Sequence, residues 1–158
     1  MRRIAVIAAV IWYLSVSLAA AGEAQSTKPA EKDKCPVCGM FVAKYPDWVA
    51  EVVLKDNTRR YFDGPKDLFK FIIHLERYVP GKDRKDIDAV FVNDYYAVRS
   101  ISGLQAFYVL GSDVFGPMGK ELIPFEKETA AREFLKDHGA RKVLRFNEIT
   151  PAVLKELD

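Results

Sequence analysis

The sequence predicts an α+β protein of two small ββαβ units packed together, behind an N-terminal signal peptide. Three observations predict it. Runs rich in β-branched and aromatic residues alternate with two amphipathic helical stretches. The segment "YFDGPKDLFKFI" is echoed by "PFEKETAAREFL", each a strand ending in Phe followed by a helix with apolar positions at i, i+1, i+4 and i+5. The opening residues differ in composition from everything after them. With 158 residues and 49% hydrophobic content, the chain is long enough for one domain or two halves sharing a core.

The chain opens with "MRRIAVIAAVIWYLSVSLAAAGEAQS". Two arginines, an apolar run from Ile4 to Leu18 and a patch of small residues follow one another in the order of a secretory signal peptide. The run falls short of the ~20 apolar residues that span a bilayer, so an uncleaved anchor is the alternative. Residues 1–24 are assigned to the signal peptide. No Cys follows the apolar run, so lipid modification is not expected. The next stretch, "QSTKPAEKDK" (residues 25–34), is polar and reads as a flexible leader.

The first unit is assigned to residues 35–103. "WVAEVVL" is a strand that ends at the Asp56-Asn57 turn, and "TRRYF" completes a hairpin. "DGPKDLFKFIIHLERY" is a helix, with Asp63 available as its cap, Pro65 in its first turn and an apolar stripe of Leu68, Phe69, Ile72, Ile73 and Leu75. Pro80-Gly81 breaks the chain before the strands "AVFVND" and "YYAVRSI". The second unit, residues 104–158, repeats the theme. "LQAFYVL" is a strand, "GSDVFGPMG" a loop, "ELIPF" a strand, "EKETAAREFLKDHG" a helix closed by Gly139, and "RKVLRF" a strand.

Net charge is only +2, from 24 basic and 22 acidic residues, which gives no electrostatic case for nucleic acid. No Ser-His-Asp arrangement, phosphate loop or spaced carboxylate pair stands out, so catalysis is not expected.

The chemistry concentrates in "DKCPVCGMFVAKYPD", which holds both cysteines, Cys35 and Cys38, together with Met40. Three readings compete. A Cys-x-x-Cys pair in an exported protein can close a disulfide, though so short a loop makes a weak staple. A redox thiol wants a helix N-terminus, and none follows Cys38. A zinc knuckle wants four Cys or His ligands, and only His74 and His138 are available to complete one. A soft-metal site uses Met40 as well, because a thioether suits Cu(I) and binds hard cations poorly. Met118 sits between Pro117 and Gly119, where a methionine has little packing rationale.

The order "CPVCGM", "YFDGPKDLFKF", "FVNDYY", "GSDVFGPMGKELIPF", "A-x-x-F…HG" and "VLRFNEI" resembles the NosL type of nitrous oxide reductase accessory protein, from Cys35 to Ile149. The resemblance implies two ββαβ units and a non-enzymatic, periplasmic Cu(I) chaperone. Its implied partners are nitrous oxide reductase and a membrane ABC-type assembly complex, with any membrane association made through a partner or an uncleaved signal. Carried over residue by residue, Cys38 anchors Cu(I), Met40 and Met118 complete a trigonal soft site, and Cys35 is auxiliary. The sequence departs from the family pattern in lacking a lipobox cysteine and in carrying Cys35, which either adds a thiolate or oxidises with Cys38. The rivals are a periplasmic thiol–disulfide oxidoreductase using Cys35 and Cys38, and a zinc-knuckle interaction domain.

Overall fold

A computed structural model describes residues 24–158, so the signal-peptide assignment, apart from Ala24, lies outside the described residues. The chain runs β1 (Ala50–Leu54), β2 (Arg59–Phe62), α1 (Pro65–Ile73), α2 (Leu75–Tyr78), β3 (Ile87–Asp94) and β4 (Arg99–Ser102). It continues through β5 (Phe107–Gly116), β6 (Gly119–Phe125), α3 (Glu128–Asp137), β7 (Lys142–Arg145) and α4 (Pro151–Lys155). Two antiparallel sheets result, ordered β2-β1-β3-β4 and β6-β5-β7. In each, the first strand of a ββαβ sequence lies between the second and third. The echo seen in the residues is thus an echo in topology, with α2, β4 and α4 as additions.

Strand β1 is buried along its whole length. One face, with Val52 and Leu54, enters the core. On the other face Glu51 is covered by the leader: Ser26 Oγ donates to it at 3.0 Å and the Thr27 N–H at 2.9 Å, with Arg59 as its ion-pair partner. The β1–β2 turn is closed by Asn57 in the left-handed region (φ 63°), a conformation Asn tolerates better than most residues.

Three local expectations meet a different outcome. Asp63 does not cap α1. Gly64 occupies the N-cap position, without a side-chain cap, and Asp63 turns its carboxylate toward Cys38. "YYAVRSI" is a strand only from Arg99, because Asp94 Oδ1 accepts the N–H groups of Tyr96 (3.0 Å) and Ala97 (2.8 Å) and folds the intervening residues into a turn. "GSDVFGPMG" is no loop. Strand β5 continues through it to Gly116, with Gly111 in the left-handed region (φ 82°) where the pairing with β6 shifts register between Leu110 and Phe115. Only Pro117 and Met118 form the turn, ahead of Gly119 at φ 87°.

The main core belongs to both units. Val52, Phe62, Leu68 and Phe69 pack with Tyr108, Leu110, Leu122, Phe146 and Leu154. Phe69 is central, its ring 5.1 Å from both Tyr108 and Phe146. A smaller cluster joins Val109, Ile123 and Phe125 of the second sheet to Ala131 and Phe134 of α3. Among the described residues no helix is long and apolar enough to cross a membrane.

Candidate metal centre

The cysteine loop closes on itself before β1. The Cys35 N–H donates to the Met40 carbonyl and the Gly39 N–H to the Cys35 carbonyl, both at 2.9 Å. Gly39 takes φ 82°, which a side chain there would resist. The turn brings backbone N–H groups of Val37 and Cys38 near the Cys35 sulfur, and that of Met40 near the Cys38 sulfur, where each lowers the thiol's pKa. The thiols therefore sit in a cradle of dipoles that favours negative sulfur.

Facing the cradle are two carboxylates from the start of α1. Asp63 follows β2 directly, and Asp67 lies one helical turn further on. One ligand atom from each of Cys35, Cys38, Asp63 and Asp67 lies within 4.8 Å of all the others. Cys35 Sγ donates to Asp67 Oδ2 at 3.3 Å, and Cys38 Sγ to Asp63 Oδ1 at 3.1 Å. Asp63 Oδ2 is buried without a hydrogen-bond partner among the described residues. Cys35, Asp63 and Asp67 are buried, while Cys38 keeps contact with solvent.

Burial pushes the Cys38 thiol up to about 12 and the Cys35 thiol further, against the lowering influence of the backbone N–H groups and with the neighbouring aspartates adding to the rise. Both cysteines are free thiols. Ionising both thiols beside two carboxylates in a largely buried space is unfavourable unless a cation is bound there. This is the opposite of a redox or nucleophilic cysteine, whose thiolate is stabilised by positive surroundings. Two sulfurs with two carboxylate oxygens do suit a metal ion.

Met40 is half-buried, two residues beyond Cys38. Met118 occupies the tip of the β5–β6 hairpin, 44% exposed. Its carbonyl accepts a hydrogen bond from Lys66 Nζ at 2.8 Å, and Lys66 directly precedes Asp67. His74 is exposed at the end of α1. His138 stacks on Phe134 at 4.1 Å and bonds Asp113 at 2.7 Å. Neither histidine belongs to the four-residue cluster. The cluster thus joins Cys35 and Cys38, from the sequence reading, to Asp63 and Asp67, which that reading missed. Their signal was the i, i+4 spacing of two aspartates across "DGPKD", masked by the reading of Asp63 as a cap.

The NosL family model matches residues 26–154, which include Cys35, Cys38, Met40, Asp63, Asp67 and Met118. The copper-binding lipoprotein NosL of Stutzerimonas stutzeri is 29% identical over 143 residues, a match covering 84% of this chain and 71% of that protein. The crystal structure of the copper chaperone NosL from Shewanella denitrificans superposes with a TM-score of 0.69 at 26% identity, covering 81% of this chain and 97% of the other. With its fold matched to a solved member and its sequence matched across nearly all the described residues, the chain belongs to the NosL family.

Proposed function

We propose that this protein is a periplasmic carrier that binds Cu(I) at the cysteine loop and hands it to a copper enzyme. The observation that supports this most is the convergence of a buried and a half-exposed thiol with two carboxylates, their ligand atoms all within 4.8 Å of one another. Sulfur donors rank Cu(I) above hard ions. Cys38, which keeps contact with solvent, is the anchoring thiolate, and Cys35 is the auxiliary one. Each thiol that becomes a ligand releases its proton. The aspartates orient the thiols before binding and add negative charge afterwards. Met40 and Met118 are the thioether ligands of a three-coordinate site. The support for Met118 is its place on a turn whose carbonyl is held by the helix neighbour of Asp67.

The relatives are named as a copper-binding lipoprotein and a copper chaperone. By kinship the client here is nitrous oxide reductase, reached with a membrane ABC-type assembly complex as docking partner. The protein works as a carrier and performs no catalysis.

The two carboxylates favour a second reading, Zn(II) held by two sulfurs and two oxygens, a donor set zinc accepts. Titrating anaerobically purified, reduced protein with Cu(I) and with Zn(II), each against a competing chelator, separates the two. Cu(I) binding far tighter than Zn(II) binding is expected. Equal or tighter zinc binding would establish the second reading instead.

A further inference from the structure

Glu121 lies on β6, three residues beyond Met118, and is buried although no salt-bridge partner reaches it among the described residues. Its Oε1 accepts the N–H of Leu122 at 2.8 Å and the N–H of Lys66 at 2.6 Å. Lys66 is the second residue of α1, and its N–H is one of those a helix leaves without an internal partner. The N-cap residue, Gly64, has no side chain with which to help. Glu121 therefore caps the helix from another part of the chain, a favourable place for a carboxylate at the positive end of the helix.

The return contact comes from Lys66 itself. Its side chain is buried, and its ammonium donates to the Met118 carbonyl at 2.8 Å and to the Leu157 carbonyl at 3.4 Å. The hairpin thus gives a carboxylate to the helix backbone, and the helix gives an ammonium to the hairpin backbone. The space for this exchange is close-fitting. A Cβ on Gly64 would lie 2.2 Å from Glu121 Oε2, and one on Gly116 would lie 3.1 Å from Glu121 Cγ.

We infer that Lys66 and Glu121 are positioning residues, a reciprocal clamp that holds the Met118 hairpin against the helix carrying Asp67. This rests on the reading of Met118 as a ligand. Without the clamp, a two-residue turn with an exposed methionine would have to be ordered each time a metal is captured, and that ordering would subtract from affinity. With it, the turn that carries Met118 is held against the helix of Asp67 before the ion arrives. The clamp also couples the hairpin to Asp67, the adjacent helix residue, which holds Cys35.

The test uses Lys66→Met, which keeps the apolar stem and removes the donor, alone and combined with Met118→Ala. Lys66→Gln, too short to reach the Met118 carbonyl, is the second variant and is read the same way. Two measurements are made. Amide relaxation of the metal-free protein should give order parameters near 0.85 for Gly116–Lys120 in the parent, falling below about 0.6 in Lys66→Met. Cu(I) affinity should fall roughly 10–100-fold in Lys66→Met, the range for a residue that orients a ligand, with no further fall when Met118 is already Ala. A hairpin that stays as ordered in the variants as in the parent overturns the clamp, and so does an equal affinity loss with and without Met118. A hairpin that loosens while Met118→Ala alone leaves affinity unchanged keeps the clamp and removes Met118 from the ligand set.

Discussion

Cys38 donates its thiol hydrogen to Asp63 at 3.1 Å, and the second oxygen of that carboxylate is buried with no hydrogen-bond partner among the described residues. A buried, half-satisfied carboxylate weakens the fold that carries it, by roughly 1–3 kcal/mol for the unpaired group. Such groups persist where function uses them. Asp63→Asn removes the charge and supplies an amide of the same shape. The metal-free variant should denature at a higher urea concentration than the parent and bind Cu(I) about tenfold or more weakly. A variant that is less stable and binds copper normally would make Asp63 a structural residue.

Metal uptake should release protons. The Cys38 thiol is raised from 9.0 to about 12, so at neutral pH it is protonated in the metal-free protein and must lose that proton to ligate. Apparent Cu(I) affinity therefore rises with pH across the neutral range, by up to about one decade per pH unit for each thiol displaced. Calorimetry in buffers of differing ionisation enthalpy counts the protons. Two per copper are expected if Cys35 joins Cys38, and one if Cys38 acts alone.

The same shift governs the stability of the metal-free protein. A thiol raised on folding stabilises the folded state fully below its unfolded value of 9.0, and that contribution is lost as pH climbs toward about 12. The denaturation midpoint should hold up to pH 9 and decline above it. Cys38→Ser should flatten the decline.

The two cysteines should not be equivalent. Cys38 meets solvent and Cys35 does not, so an incoming ion reaches Cys38 first. Cys38→Ser should abolish tight Cu(I) binding. Cys35→Ser should retain most of it and gain resistance to air, since no disulfide can then close. Equal losses in the two variants would make Cys35 a full ligand.

Met118 is 44% exposed, which leaves little packing to lose. Met118→Ala should shift stability by less than about 0.5 kcal/mol. It should nonetheless weaken Cu(I) binding and remove one sulfur from the X-ray absorption signal of the loaded protein. Unchanged affinity confines the site to the cysteine loop and its aspartates.

Much of the scaffold was legible because its signals are local. The Asp56-Asn57 turn, the helix starting at Pro65 and Gly139 closing α3 each follow from the conformational limits of single residues. The hairpin tip was less legible. Glycine at 111, 116 and 119 reads as a loop, yet here it permits a register shift and a tight turn inside two long paired strands. The thiols announced themselves as the chain's only cysteines. Their carboxylate partners did not, because an Asp ahead of Gly-Pro has a sound local explanation as a helix cap. The true cap comes from Glu121, 55 residues from the Lys66 N–H it accepts, and no local pattern encodes a partner that distant.

The core shared by the two units has a consequence for unloading. The cysteine loop, the start of α1 and the β5–β6 hairpin are all rooted in packing common to both halves. Parting the halves would expose Phe69, Tyr108 and Phe146 together, so release by separation of the halves would cost the shared core. On the carrier reading proposed above, an ion would leave from the solvent-facing side of Cys38, with an acceptor's sulfur or nitrogen arriving as the protein's own donors let go. Transfer would then keep pace with the approach of the acceptor, and an ion with no acceptor at hand would stay where it is.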